Sequence, residues 1–179
     1  GDPVTCASVY CSCGYIKSFR SFGTDSSGIS ELVGKNSTIS RRMHETILEH
    51  RPVWLVGYNN FGFDNLFMHE EDPDAVYMKV FNKSRPSCNV YLYEQGINNV
   101  DLYLVLDSAY RNKFPSLRLD MVAKELGLKG KLKAPDFQSV HGDAANLVAY
   151  NLADSEIVVL VFEQLGIEDQ LMSKCAVMR

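Results

Sequence analysis

The sequence predicts an α/β protein in which a mixed β-sheet is flanked by helices. Three observations carry this reading. Short runs with strand composition alternate with segments whose apolar residues recur at helical spacing. β-Meanders fall on both sides of the middle helix, which a purely parallel sheet would not give. No internal repeat or low-complexity stretch breaks the chain into separate units.

Taken in order, Val4 to Tyr10 reads as a strand and Tyr15 to Phe22 as its partner, with Cys11 to Gly14 as the turn. Gly23 to Gly28, rich in Ser, Thr and Asp, reads as a loop. Thr38 to Arg51 is predicted as a helix. Ile39, Met43 and Ile47 form one stripe, and Ser37 is the candidate N-cap. Pro52 ends this helix, and Val53 to Tyr58 is a short apolar strand of the buried type. A turn at Asn59 to Gly62 leads into a helix from Phe63 to about Glu70. Val76–Phe81, Val90–Tyr93 and Asn99–Leu106 read as three further strands. Ser116 opens another helix with Leu119, Val122, Ala123 and Leu126 inward, and Gly127 closes it. Lys129 to Ala134 is a basic loop. The last long helix runs from about Asp143 to Leu165 and carries Leu147, Val148, Leu152, Ile157, Val158 and Phe162 on its apolar face.

Length and composition narrow the function. A chain of 179 residues favours one domain, and 46% hydrophobic with 22% charged residues allows a sizeable core and argues against disorder. The net charge of −4 counts against a large DNA-gripping surface. It does not exclude a nuclease, whose carboxylates bind substrate through metal ions. The sequence has no uninterrupted run of about 18 apolar residues, so no membrane span is expected. Gly1-Asp2-Pro3 is not a targeting signal, which points to an intracellular protein, nuclear or cytoplasmic, or to a piece of a longer chain. The five cysteines are odd in number and scattered, as reduced thiols are. Cys11-Ser12-Cys13 has the look of half a metal site, but no second Cys/His pair at zinc spacing follows, so zinc is not expected. His44 and His50 read as helix-surface residues.

Two carboxylates stand out. Asp64 follows an apolar strand and a turn, and falls in the first turn of the next helix, where a carboxylate can be held at the end of a sheet. Asp154 lies four residues after Tyr150 on the long helix, so both project from one face. Each pattern alone also fits a helix-start acid or a surface pair. Together they fit phosphodiester hydrolysis, in which two ions about 4 Å apart activate water and stabilise the leaving oxygen. Mg²⁺ or Mn²⁺ would suit, because hard ions take oxygen ligands and few from protein.

These segments resemble a known family. Gly57-Tyr58-Asn59 with Phe63-Asp64 resembles the second exonuclease motif of family B DNA polymerases, and Tyr150 with Asp154 resembles the third. Asn99-Val100-Asp101-Leu102-Tyr103 and the Ser116–Leu126 segment are similar to what lies between the two motifs, and Glu45–Pro52 to the approach to the second. The resemblance covers roughly residues 4 to 179. It implies a ribonuclease-H-like fold over residues 1–166, with 167–179 an exit helix or linker, outside the core, towards a polymerase body. It also implies a 3′→5′ proofreading exonuclease with a two-metal site. Asp64 and Asp154 would contact the metals, Tyr150 would position the attacking water, and Asn59 and Phe63 would hold the 3′-terminal nucleotide of a single-stranded DNA end. The implied partners are DNA and the rest of the polymerase polypeptide.

The match departs from the family at one point. The first motif, Asp-x-Glu in an apolar strand, does not occur before Asp64, so two metal ligands are missing and the isolated chain is expected to be nearly inactive. Polymerase motifs are absent too. The alternatives are a stand-alone 3′→5′ exonuclease of the same superfamily, or a catalytically dead scaffold domain.

Overall fold

The computed structural model describes residues 4–23, 28–72, 75, 77–81, 88–92, 95–130, 132 and 144–177. Strands β1 (Cys6–Tyr10) and β2 (Ile16–Arg20) form the expected antiparallel hairpin, with Tyr10 opposite Ile16. The N–H of Gly14 donates to the Cys11 carbonyl at 2.9 Å, and Gly14 supplies the φ of 89° that this turn needs. A further strand, β3 (Ser30–Leu32), runs parallel to β2. Three residues are too few for alternation to reveal it in sequence. Residues 24–27 of the preceding loop lie outside the described residues.

Helix α1 (Ile39–His50) is capped by Thr38 and not by Ser37. The Thr38 hydroxyl oxygen accepts the N–H of Arg41 at 3.1 Å. Ile39 and Ile47 are buried and Met43 half-buried, as the stripe predicted. Arg51 ends the helix in the left-handed conformation, just ahead of Pro52. Next come β4 (Trp54–Gly57), α2 (Asp64–Glu71), the antiparallel pair β5 (Tyr77–Phe81) and β6 (Cys88–Leu92), and β7 (Asn98–Asp101). β4 and β7 run parallel, with Gly57 opposite Asp101. The expectation of a buried β4 is corrected: all four of its residues are half-buried, because it borders an open cleft.

A second correction concerns Asn99–Leu106. The strand stops at Asp101, and Leu102–Ala109 is a helix, α3. An apolar run of this length fits either state. The Asp101 carboxylate accepts the N–H of Tyr103 at 3.0 Å, which starts the helix. Leu102 and Leu106, one turn apart, are then both fully buried. Helix α4 (Leu119–Glu125) starts three residues after Ser116, and Gly127 follows it closely. Residues 131 and 133–143 lie outside the described residues, and with them half of the basic loop and the start of the predicted last helix. Helices α5 (Ala145–Gln164) and α6 (Ile167–Val177) complete the chain.

The single mixed sheet expected from sequence is, among the described residues, three small sheets: β1-β2-β3, β4-β7 and β5-β6. The fold is mixed α/β. The main core gathers Leu102 and Leu106 of α3, Val122 of α4, and Val161 and Phe162 of α5. Each such buried side chain contributes about 1.5–3 kcal/mol over its exposed state. Ile167 is also fully buried there, so α6 begins inside the core and not outside it.

Helix α5 packs across β1, β2 and β4. It is long and apolar enough to cross a bilayer by length and composition. Here it buries Leu147, Val148, Ile157, Val158, Val161 and Phe162 against the rest of the chain and carries Asp154 near its middle. Polar bonds stitch it to β1. The Ser8 hydroxyl donates to Asn151 Oδ1 at 3.0 Å and lies 2.8 Å from the Ser155 hydroxyl.

Candidate active site

The chain leaving β4 must turn sharply to start α2, and three features hold that turn. Asn59 adopts φ 59°, a left-handed conformation that asparagine tolerates better than most residues. Gly57 leaves room for the buried Asn60 side chain: a Cβ at Gly57 would lie 2.3 Å from Asn60 Cγ. Asp101, at the end of the neighbouring strand, accepts the N–H of Asn59 at 2.8 Å and that of Phe61 at 3.2 Å. The loop is also tied to β6. The N–H of Val90 donates to the Phe61 carbonyl at 2.8 Å, and the Asn65 amide donates to the Val90 carbonyl at 2.7 Å.

This clamp sets Asp64 at the first position of α2. Its side chain is open to water but stands among protein walls. Their desolvation, with a smaller contribution from the nearby Asp101 carboxylate, raises its carboxyl above the ordinary carboxylate value. Solvent screens this effect, so Asp64 remains an accessible carboxylate. Phe63 is 56% exposed, its ring edge-on to Phe67 at 5.1 Å. Asp101 is only 3% exposed, and burial pushes its carboxyl up while four backbone N–H groups oppose the shift.

Tyr150 and Asp154 occupy successive turns of α5, both half-buried, with Asp154 Oδ1 shielded from solvent. A cleft of about 1420 Å³ is bounded by β1 and β4 along their whole lengths and by Phe63, Asp64, Tyr150 and Asp154. Among the described strands, β1 pairs only with β2 and β4 only with β7. Each strand therefore keeps one edge unpaired beside this cleft.

Four of the five residues singled out in the sequence line the cleft. The fifth, Asn59, does not line it. Its side chain is exposed and its backbone serves Asp101. The adjacent Asn60 lines the cleft instead, with Oδ1 buried and lacking a hydrogen-bond partner among the described residues. Asp101 is the residue that sequence reasoning missed as an anchor. Its signal, an acid ending an apolar strand before Leu-Tyr, is the same as that of a helix cap, and it performs both tasks. Among the described residues, neither Asp64 nor Asp154 belongs to a compact group of three or more metal-ligating side chains.

No family model and no curated protein matches this sequence. Among solved structures, the chain is similar to the family B DNA polymerase from the hyperthermophilic archaeon Pyrobaculum calidifontis. The TM-score is 0.68 at 22% identity, over 92% of this chain and 22% of that one. The chain therefore spans only 22% of that polymerase's length, and at this identity the likeness is one of fold. The protein has the α/β fold of one segment of a family B DNA polymerase.

Proposed function

We propose that this chain is the 3′→5′ proofreading exonuclease domain of a family B DNA polymerase, with a ribonuclease-H-like fold. It removes mispaired 3′-terminal nucleotides from a frayed single-stranded end. The observation that carries the reading is that Asp64, from the start of α2, and Asp154, from the middle of α5, line one cleft. The likeness in fold to a polymerase segment supports it. DNA and the remainder of a polymerase polypeptide are the partners, in an intracellular replication machinery.

The donor set suits Mg²⁺ or Mn²⁺. Asp64 and Asp154 offer hard carboxylate oxygens. The fit is partial. Asp101 is committed to backbone N–H groups, and among the described residues neither Asp64 nor Asp154 belongs to a compact group of three or more ligating side chains. Bound ions would supply an activated water and charge stabilisation for the leaving oxygen. The chain's own residues divide the remaining work. Asp64 and Asp154 hold the ions, and the Tyr150 hydroxyl orients the attacking water. The exposed Phe63 ring offers a stacking face to the terminal base.

Titration of the chain with Mn²⁺, followed by paramagnetic broadening of backbone NMR signals, tests this. Broadening should centre on the residues around Asp64 and Asp154 and vanish in Asp64→Ala and in Asp154→Ala. Hydrolysis of a 3′ single-stranded end by this polypeptide should be weak. Broadening that is centred elsewhere, or unchanged in both variants, overturns the assignment.

A further inference from the structure

A second group of metal-ligating side chains lies where two distant elements meet, and it includes neither Asp64 nor Asp154. Cys11 and Cys13 sit in the β1–β2 turn, and His50 is the last residue of α1. Nε2 of His50 is 3.3 Å from Cys11 Sγ and 3.4 Å from Cys13 Sγ, and the three ligand atoms lie within 4.8 Å of one another. The N–H of Cys13 donates to Cys11 Sγ at 3.4 Å, which draws that sulfur over the turn. The His50 ring stacks on Tyr15, with centroids 4.8 Å apart and planes 28° apart. Its orientation is therefore held by a residue of the same hairpin.

One ring nitrogen of His50 lies within reach of both sulfurs, so the three ligand atoms converge on one point. A single cation between the three donors satisfies all of them. Zn–S bonds of about 2.3 Å and Zn–N bonds of about 2.0–2.1 Å at tetrahedral angles set sulfur and nitrogen roughly 3.5 Å apart. The two observed separations, 3.3 and 3.4 Å, come close to that edge length. Two thiolates and an imidazole select zinc over the oxygen-seeking Mg²⁺ and Mn²⁺. Cys13 and His50 are exposed and Cys11 is half-buried, so a fourth position faces solvent.

We infer that Cys11, Cys13 and His50 bind one Zn²⁺ ion, with water as the fourth ligand, and that the ion fastens the β1–β2 hairpin to the end of α1. Sequence spacing could not reveal this, because the third ligand arrives from the far end of a helix and not from a second closely spaced pair. The inference is independent of the proposed nuclease, since it uses none of the same ligands.

The test uses the whole chain, stripped with a chelator and kept under a phosphine reductant. Zn²⁺ is titrated in competition with a chromophoric chelator, and Co²⁺ serves as the spectroscopic stand-in. One ion should bind per chain. The Co²⁺ form should show thiolate-to-metal charge transfer and the intense visible bands of a tetrahedral site. Cys13→Ser and His50→Gln should each weaken Zn²⁺ binding by more than the roughly 10–100-fold that loss of an outer-shell partner costs. Both positions are exposed, so circular dichroism should show the wild-type fold in each variant. Cys6→Ser should bind as wild type does, because the Cys6 thiol is engaged elsewhere, with Ser18. Failure to bind Zn²⁺, or binding that survives both substitutions, overturns the proposal. So does loss of binding in Cys6→Ser.

Discussion

The carboxylate of Asp101 accepts the backbone N–H of Asn59 at 2.8 Å, joining the end of β7 to the loop that leaves β4. One side chain thereby ties a strand end, a left-handed asparagine and the start of α3 into a single unit, and Asp64 inherits its position from that unit.

Removing the anchor should be costly. Asp101→Ala leaves the N–H groups of Asn59, Phe61 and Tyr103 without their acceptor, the Phe61 N–H in a buried place and the other two partly buried. At about 1–3 kcal/mol for each unsatisfied buried group, with partial rescue by water, a loss of roughly 3 kcal/mol is expected in urea unfolding. Asp101→Asn keeps one acceptor oxygen and should lose less. An Asp101→Ala chain as stable as the parent would show that the loop holds itself.

The same residue has a pH signature. Burial holds the folded Asp101 carboxyl above 3.8, its ordinary value. The folded chain thus keeps a proton that the unfolded chain releases. The resulting stabilisation is fully present below 3.8 and is lost as pH rises through the folded value. Measured against Asp101→Asn, the parent's advantage in unfolding free energy should shrink as pH climbs through this window. An advantage that grows instead would show that the backbone N–H groups outweigh burial.

Gly57→Ala should destabilise the chain by about 1–3 kcal/mol, the usual cost of overpacking. The new Cβ would lie 2.3 Å from Asn60 Cγ and 2.7 Å from Asn60 Cβ. Adding Asn60→Ala should therefore relieve only part of the clash, whereas Asn60→Gly should relieve it. A double-mutant cycle by thermal unfolding reads the coupling. Purely additive effects would place the strain elsewhere.

The start of α1 separates two adjacent hydroxyl residues. Thr38→Ala removes the cap on Arg41 and should cost about 1 kcal/mol. Ser37→Ala should cost only a few tenths, since the Ser37 hydroxyl makes one long bond of 3.4 Å to the Thr38 carbonyl. Chemical denaturation of the two variants compares them directly. Equal losses would return the cap to Ser37.

Local sequence was enough for the α/β class, the β1–β2 hairpin, α1, α2 and α5. Periodicity, turn residues and caps act over a few positions, so their traces are adjacent in the chain. It was also enough to put Tyr150 and Asp154 on one face of α5 and Asp64 at the start of α2. The three-dimensional fold alone decided that Leu102–Ala109 coils into a helix, that Ile167 enters the core, that Asp101 anchors the Asn59 loop, and that His50 reaches Cys11 and Cys13. Each of these outcomes depends on partners far away along the chain. Such pairings are chosen by packing and by the need to satisfy buried polar groups, and neither leaves a periodic mark in the order of the residues.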